Sequence, residues 1–509
     1  MAKSRTQKAA LNTLTAGLSE IVSLICGLIL PRLILRNFGS AYNGITSSAT
    51  QFLSAISILT VGVSGTTRVA LYRSLKDNDI KKSSAIVRAT EIYMRKIGLV
   101  LLAYILLLSV FYPIFVDTGY AWFDVAVLVL AAGVGTFGRY FFGTAYTALL
   151  SADQSLYIYN IFLIASVLLN TLISAVLIWL GCSIQVVKLG SAFVFFMRPL
   201  LQNIYVSKKY KIEKNCEPDN SALALRWEVM AHSIANIVHD NTDMMVLTLF
   251  CNVKIVSVYT VYNLVMHALK KTQAVFTNGT EAIFGSMWVK GEINKIKRSL
   301  GYYEFIVSLL VSIVFAAAFI LILPFISLYT KGVKDVEYIL PSYALVIMLA
   351  QAWFCIRAPY LTLVQGAGHY KQTKKGAFVE AAINLVSSIV LVQFLGIVGV
   401  AIGTLLANVF RTMQYAIYIE KNIVSRGVKT FLMKPIWAFG NAAVAYFIAE
   451  PIVRQYAYGG WVQWVICAIA VTALCTVITI LSTLVFYRHD LKDIVRIGKT
   501  TIRQKMKRK

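Results

Sequence analysis

Long apolar runs alternate with short polar segments along the whole chain. The runs are about 20 residues or longer, which is the length of helix that crosses the hydrocarbon core of a bilayer. We place about fourteen spans at 10–36, 44–71, 96–116, 122–148, 157–180, 183–206, 224–250, 255–285, 302–326, 341–365, 376–395, 397–418, 435–453 and 461–487. No segment outside them is long enough for a separate domain. The pattern predicts an all-α integral membrane protein.

The first twelve spans form a six-helix unit that occurs twice, about 214 positions apart. The offset relates Ser64-Gly65-Thr66 to Asn278-Gly279-Thr280, Asn170 to Asn384, Tyr146 to Tyr360, Pro113 closely to Pro324 and Arg198 closely to Arg411. An even-numbered unit returns the chain to its starting side, so both copies should have the same orientation. Two parallel repeats around a central cavity are typical of transporters.

The repeat defines the predicted domain organisation. We assign an N-lobe of spans 1–6 to 1–215, a C-lobe of spans 7–12 to 216–430, two extra helices to 431–487 and a basic amphipathic tail to 488–509. The apolar stripe of the tail amid Lys and Arg indicates a helix that lies on anionic lipid.

Composition and charge agree with a membrane protein whose two termini lie in the cytoplasm. Of 509 residues, 58% are hydrophobic and only 14% are charged. The net charge of +26 comes from Lys and Arg at the N-terminus, in alternate loops and in the C-terminal tail. Under the positive-inside rule, these segments are cytoplasmic. The charge is therefore a mark of topology and does not indicate nucleic-acid binding.

Several cations lie within the spans, where each costs roughly 2.5–3.5 kcal/mol on insertion scales. Lys270, Lys271, Arg139, Arg198, Arg357 and Arg411 lie too deep for easy snorkelling, so we expect them to face protein or water. Arg139 with Arg357, and Arg198 with Arg411, occupy repeat-related helices. Arg68 lies nearer a span end, where snorkelling to the interface is the simpler interpretation.

Fewer acidic residues lie in the spans. Glu20 is in the middle of the first span, and Glu281 and Glu380 lie nearer the ends of theirs. Span seven carries one polar face formed by His232, Asn236, His239, Asp240 and Asp243. These acids either face a wet cavity or neutralise neighbouring cations as structural ion pairs. Because the cations outnumber the acids, positive charge remains for an anionic ligand such as phosphate or pyrophosphate.

Three short motifs resemble a known superfamily. They are 29–39 (ILPRLILRNFG) with 42–45 (YNGI), the run from Asp243 to Tyr259, and 396–404 (GIVGVAIGT). They are similar to segments of polysaccharide flippases in the multidrug/oligosaccharidyl-lipid/polysaccharide exporter superfamily, and in layout the resemblance covers the whole chain.

The resemblance implies a pair of bundles that open alternately to the two sides of the bacterial plasma membrane and move a polyprenyl-pyrophosphate-linked sugar outward. In related flippases, basic residues of spans one, two and eight contact the pyrophosphate. Lys270 and Lys271 match span eight and Arg68 approximates span two, but span one carries Glu20 instead of a deep cation. The implied partners are the polyprenyl-linked glycan, membrane lipids and other cell-envelope biosynthesis proteins, with the chain itself a monomer.

Coupling and sugar recognition can be assigned only as candidates. No cofactor is expected, but H⁺ or Na⁺ binding at Glu20, Asp240 or Asp243 would reset an empty carrier. Sugar contacts, or equally interhelical packing, are expected from five polar or aromatic residues. These are Tyr146, Asn170, Asn236, Tyr262 and Asn263.

Two other functions fit parts of the pattern. A cation-coupled multidrug exporter of the same superfamily would bind organic cations at the acidic face of span seven, although the intramembrane Arg and Lys would repel them. A polyprenyl-linked glycan transferase or ligase would need positioned acid and base groups, most plausibly on a sizeable loop. The short outer loops and the scattered acids therefore favour a transporter that is not an enzyme.

Overall fold

The computed structural model of the chain is helical and apolar. It describes residues 4–77, 79–213, 215–223, 241–277, 279–425 and 427–491, and none of these residues forms a strand. Within these ranges, ten helices are long and apolar enough to cross a membrane, or eleven if a helix pair bent by 45° is one span. The all-α membrane fold is therefore confirmed, whereas the count of about fourteen spans stays a prediction.

The helices are numbered in chain order. They are α1 (Arg5–Phe38), α2 (Ser40–Ser54), α3 (Val61–Lys76), α4 (Ile80–Phe115), α5 (Trp122–Gly138), α6 (Thr144–Ala152), α7 (Leu156–Trp179), α8 (Ile184–Tyr210), α9 (241–250), α10 (Val253–Thr277), α11 (Thr280–Val289), α12 (Ile293–Leu310), α13 (Ala316–Tyr329), α14 (Pro341–Ile356), α15 (Ala358–Gly366), α16 (Tyr370–Asn422), α17 (Val428–Tyr456) and α18 (Trp461–Phe486). Single π-helical turns, Arg139–Gly143 and Val311–Phe315, join α5 to α6 and α12 to α13.

The chain divides into two compact units within α10. Unit 1 comprises Met1–Thr260 with Gly332–Val336, and unit 2 comprises Val261–Lys331 with Glu337–Lys509. The predicted lobe boundaries at 215, 430 and 487 stay predictions.

Unit 1 contains α1 to α9 and the start of α10, and within it α1 lies along α7 and α5 along α8. Ile45 and Ala49 of α2 belong to the same buried cluster as Val125 and Val129 of α5. Large apolar side chains remain exposed on other helix faces, for example Phe123 at 69%. An exposed apolar surface of this kind is expected where helices face lipid tails.

In unit 2, the last two helices pack on α13. Ala445 and Ala449 of α17 and Cys475 of α18 are fully buried in one cluster with Ile320 of α13. Small residues at these positions let the helices approach closely, which is the main source of helix association in a bilayer. The segment predicted as 431–487 therefore forms part of the unit 2 core.

A sharp turn interrupts α16 at the glycine-rich motif. Gly396 adopts φ 55° and ψ −132°, a backbone conformation that a side chain disfavours. Three residues later, a Cβ atom added to Gly399 would lie 2.2 Å from the carbonyl oxygen of Leu391. The first half of α16 matches predicted span eleven and the second half matches span twelve, so this motif supplies the turn between them.

One buried hydrogen bond recurs in both units at the predicted offset. Tyr146 on α6 donates to Glu91 on α4 at 2.8 Å, and Tyr360 on α15 donates to Glu304 on α12 at 2.5 Å. Tyr146, a candidate for sugar contact, is fully buried in this arrangement, and its predicted role stays a prediction. The second pair also includes Lys434 of α17, whose Nζ lies 3.7 Å from Glu304. An ion pair therefore connects α17 to α12 within unit 2.

A polar cluster joins three elements of unit 1 outside the spans. Asp153, in the link between α6 and α7, accepts hydrogen bonds from Lys8 at 2.8 Å, Ser155 at 2.7 Å and Tyr210 at 2.5 Å. Burial alone would raise the pKa of Asp153, but these hydrogen bonds outweigh it and lower the pKa below its ordinary value. The ionised form is therefore stabilised by folding.

Replacing Gly399 with alanine should destabilise unit 2, because the added methyl group meets backbone that cannot rotate away. We expect a loss of about 1–3 kcal/mol, measured as a lower melting temperature in detergent. Gly440→Ala in α17 is the matched control, since a Cβ atom there meets nothing within 4 Å. Equal melting temperatures for the two variants would contradict the close packing.

Asp153→Asn should lower the free energy of unfolding by about 1–2 kcal/mol near neutral pH, through loss of charged hydrogen bonds. A lowered native pKa gives stability that is present above the ordinary pKa of about 3.9 and is lost as the pH falls through the native value. The difference between wild type and variant should therefore shrink below about pH 4. Melting curves from pH 3 to 8 measure it; a constant difference would argue against this role.

Candidate functional site

Unit 1 contains a polar cavity among its helices. The cavity has a volume of about 370 Å³, within the range of about 300–1,000 Å³ typical of small-molecule sites. Hydroxyl groups of Thr46, Thr50 and Ser54 follow one face of α2 at intervals of four residues and line it. Opposite elements contribute Asn170 of α7 and Ser191 of α8. The walls therefore offer both donors and acceptors to a polar ligand.

Three cations line the same cavity. Arg139 lies at the π-helical turn after α5, and Lys188 and Arg198 lie on α8. Over the residues that the structure describes, no carboxylate lines the cavity, and none of the three cations forms an ion pair. The cavity therefore carries an excess of positive charge.

The local contacts of the two arginines are aromatic. The guanidinium carbon of Arg139 lies 4.9 Å from the centre of the Tyr140 ring, and that of Arg198 lies 5.6 Å from the centre of the Tyr159 ring. Ring faces stabilise a cation without neutralising it. In addition, Nε of Arg198 and Oδ1 of Asn170 are buried and have no hydrogen-bond partner among the described residues. Both atoms can still bind a ligand.

The sequence singled out Arg139 and Arg198, which both line this cavity, but it did not single out Lys188. Lys188 lies only four residues into α8, where a lysine would ordinarily be assigned to the membrane interface. Its spacing was the available signal: Lys188, Ser191, Phe195 and Arg198 recur at intervals of three and four residues and all line the cavity.

The arginines on the repeat-related helices of unit 2 share one carboxylate. Arg357 and Arg411 are both buried, and both form ion pairs with Glu380. Nε of Arg411 lies 3.4 Å from Oε2 of Glu380. Arg411 also donates to the backbone oxygen of Thr373 at 3.0 Å and to the hydroxyl of Tyr415 at 2.6 Å. This cluster has the form of the structural ion pair that the sequence left open for the intramembrane acids.

The other predicted cations lie elsewhere and do not line the unit 1 cavity. Arg68 is exposed on α3, and Lys271 is exposed on α10. Lys270 is half-buried, with its Nζ 5.0 Å from the centre of the Phe354 ring in unit 2. Their predicted role in substrate binding stays a prediction.

The predicted coupling acids are only partly described. Glu20 is exposed on α1, and Asp243 is buried on α9. Next to Asp243 on α9, Asn241 accepts hydrogen bonds from Gln51 at 2.6 Å and Ser54 at 2.5 Å. The remaining polar residues of predicted span seven, including a coupling candidate, lie outside the described residues; they are His232, Asn236, His239 and Asp240.

The whole fold has counterparts among solved transporters. A lipid II flippase, MurJ, in an inward closed conformation is similar with a TM-score of 0.70 and 14% identity, over 94% of this chain and 99% of that chain. An inward-facing multidrug resistance MATE family transporter of the MOP superfamily gives a TM-score of 0.63 and 14% identity, over 83% and 96%. A third similar structure is a MOP superfamily transporter from Pyrococcus furiosus, described as having a binding pocket of reverse polarity that suggests a different function. Its TM-score is 0.54 at 13% identity, over 81% of this chain and 93% of that chain.

These likenesses define the fold class. No family model and no curated protein sequence matches the chain. The chain nevertheless has the fold of the MOP superfamily transporters, over most of its length and most of theirs. The fold expected from the resemblance of the three short motifs is confirmed, and the chain is a multi-pass helical membrane protein.

Glu380→Gln should strongly destabilise unit 2, because it leaves two buried arginines without a carboxylate. Breaking a buried ion pair costs about 3–5 kcal/mol, so the melting temperature in detergent should fall markedly. Glu292→Gln is the control, since Glu292 pairs with Lys295 at an exposed position and its loss should change the melting temperature little. A Glu380→Gln protein as stable as the control would refute the structural ion pair.

Proposed function

We propose that the chain is a flippase that moves a polyprenyl-(pyro)phosphate-linked oligosaccharide or polysaccharide precursor. In this proposal, the precursor passes from the inner to the outer leaflet of the bacterial plasma membrane. The observation that carries the proposal is the unit 1 cavity, which holds Arg139, Lys188 and Arg198 without a carboxylate among the described residues. The fold of a lipid II flippase and of related transporters is consistent with transport rather than enzymatic catalysis.

The chemistry of the cavity suits a phosphate group. An arginine guanidinium presents paired N–H donors that match two phosphate oxygens, and a lysine adds a mobile point charge. The low dielectric between the helices strengthens this attraction relative to water. The hydroxyl groups from α2 and the amide of Asn170 add hydrogen-bonding positions for the attached sugars.

Transport proceeds by alternating access in this account. The cavity binds the phosphate and its sugars from the cytoplasmic side and releases them outside, while the polyprenyl tail stays in the membrane. An inside-negative potential favours the outward movement of two negative charges by roughly 4–5 kcal/mol per 100 mV. Glu20, Asp240 and Asp243 are the residues that we propose for H⁺ or Na⁺ binding during the return of the empty carrier.

The second candidate function is cation-coupled multidrug export, which the MATE neighbour favours. In this case, the acids of span seven would bind organic cations. The charge of the unit 1 cavity opposes it, because three cations repel a positively charged drug. The polarity of the preferred ligand therefore distinguishes the two functions.

The test is flipping of a fluorescent polyprenyl-pyrophosphate disaccharide by the purified protein in liposomes. We expect activity that falls at least ten-fold in the Arg139→Gln/Arg198→Gln double variant, since both variant side chains keep their polarity and lose their charge. Under the same conditions, the Lys270→Ala/Lys271→Ala variant tests the prediction that these span-eight lysines contact the pyrophosphate. A panel of cationic dyes tests drug export.

Dye transport that requires Asp243, with no flipping of the lipid, would replace the flippase by an exporter. Flipping that is unchanged in the Arg139→Gln/Arg198→Gln variant would also contradict the proposed role of the cavity. Melting temperatures of each variant show that it is folded.

A further inference from the structure

The helices around the unit 1 cavity and the ion-pair cluster of unit 2 correspond in register. Asn170 on α7 and Asn384 on α16 are both buried at the common offset, as are Ser174 and Ser388. The contacts agree as well: Arg198 lies over the ring of Tyr159, and Arg411 donates to Thr373, the position equivalent to Tyr159.

The next helix corresponds at an offset of 213, one residue less. Gly190 on α8 packs against side chains of α7, and Gly403 on α16 packs against Ser387 and Ser388 in the first half of the same helix. Position for position, Ser166 of unit 1 therefore corresponds to Glu380 of unit 2, since each lies four residues before its buried asparagine.

The two equivalent residues differ in charge. The carboxylate of Glu380 uses Oε1 for Arg357 and Oε2 for Arg411, so one carboxylate connects two arginines. Ser166 is 6% exposed, and its hydroxyl donates to the backbone oxygen of Leu163 at 2.9 Å. Serine is uncharged, so unit 1 lacks the acid that unit 2 has at this position.

The arginines of unit 1 should require a similar counter-charge. Two guanidinium groups in a medium of low dielectric are stabilised by a group that offers two oxygens and a negative charge. In unit 2 the chain supplies this group itself. Unit 1 instead has a cavity, lined by Asn170 one helical turn after Ser166, and Nε of Arg198 is a buried donor with no partner among the described residues.

We propose that Glu380 is an internal substitute for a ligand anion, and that Ser166 leaves the equivalent site of unit 1 open for a phosphate-type oxyanion held by Arg139 and Arg198. This inference rests on the proposed function and makes it more specific. It assigns phosphate binding to unit 1 and a structural role to the arginines of unit 2. Lys188 contributes the third positive charge of the site.

The oxyanion has two possible sources, the pyrophosphate head of a lipid or a free phosphate. Both share the fork of oxygens that the carboxylate of Glu380 presents to its arginines. Inorganic pyrophosphate, inorganic phosphate and a polyprenyl pyrophosphate are therefore the three probes. A polyprenyl pyrophosphate that binds at least ten-fold more tightly than the inorganic ions identifies a lipid headgroup; equal affinities identify a free ion.

The direct test moves the acid of unit 2 into unit 1. Ser166→Glu should pair with the arginines, lower the positive charge of the site by one, and weaken pyrophosphate binding at least ten-fold in calorimetry of the full-length protein. Ser166→Gln is the matched control for size, because it has nearly the same volume without the charge, and it should bind pyrophosphate several-fold more tightly than Ser166→Glu. Equal affinities of Ser166→Glu and wild type, or equal losses in both variants, would overturn the proposal.

A second variant guards against misfolding at the buried serine. Asn170→Asp keeps the shape of a residue that lines the cavity and adds one negative charge. It should also weaken pyrophosphate binding at least ten-fold, and unchanged binding would count against the site.

Flipping assays separate this inference from the proposed function. If wild type binds pyrophosphate in a manner sensitive to Ser166→Glu but does not flip the lipid-linked disaccharide, the anion site stands and the flippase is rejected. If wild type flips the lipid and Ser166→Glu flips it equally well, the headgroup is bound elsewhere and the unit 1 site is rejected.

Discussion

A positive charge inside an apolar helix bundle requires a nearby negative charge, and this requirement organises the chemistry of both units. Placing an arginine at the centre of a span costs roughly 2.5–3.5 kcal/mol on insertion scales. Unit 2 meets the requirement internally, where Glu380 pairs with Arg357 and Arg411. Unit 1 carries arginines on the repeat-related helices, Arg139 and Arg198, beside a cavity that no described carboxylate lines.

In the proposed account, the same fold supports a structural site in unit 2 and a ligand site in unit 1. In unit 2, the ion pairs connect the break between α14 and α15 to both halves of α16, so the charges stabilise helix packing. In unit 1, Arg139 and Arg198 form no ion pair among the described residues, although Asn170 and Ser174 are buried like Asn384 and Ser388 of unit 2. A transporter benefits from this division, because a binding site must exchange its anion and a scaffold must keep it.

Hydrophobic patterning and the repeat offset predicted much of this structure. The length of the apolar runs predicted the membrane helices. The repeat offset predicted that Tyr146 and Tyr360 occupy corresponding positions, and each donates a hydrogen bond to a glutamate in its own unit. The sequence could not show which cations form ion pairs, because an ion pair depends on how the helices pack and on side-chain rotamers. Lys188 escaped notice for a related reason: its depth resembled an interface position, and only the folded helix shows that it lines the cavity.

The most direct measurement is a structure of the full-length protein with a bound polyprenyl pyrophosphate. The account predicts phosphate density between Arg139 and Arg198 in unit 1, with the ion pairs of Glu380 unchanged. Phosphate density at Lys270 and Lys271, or at Arg357 and Arg411 with Glu380 displaced, would contradict it.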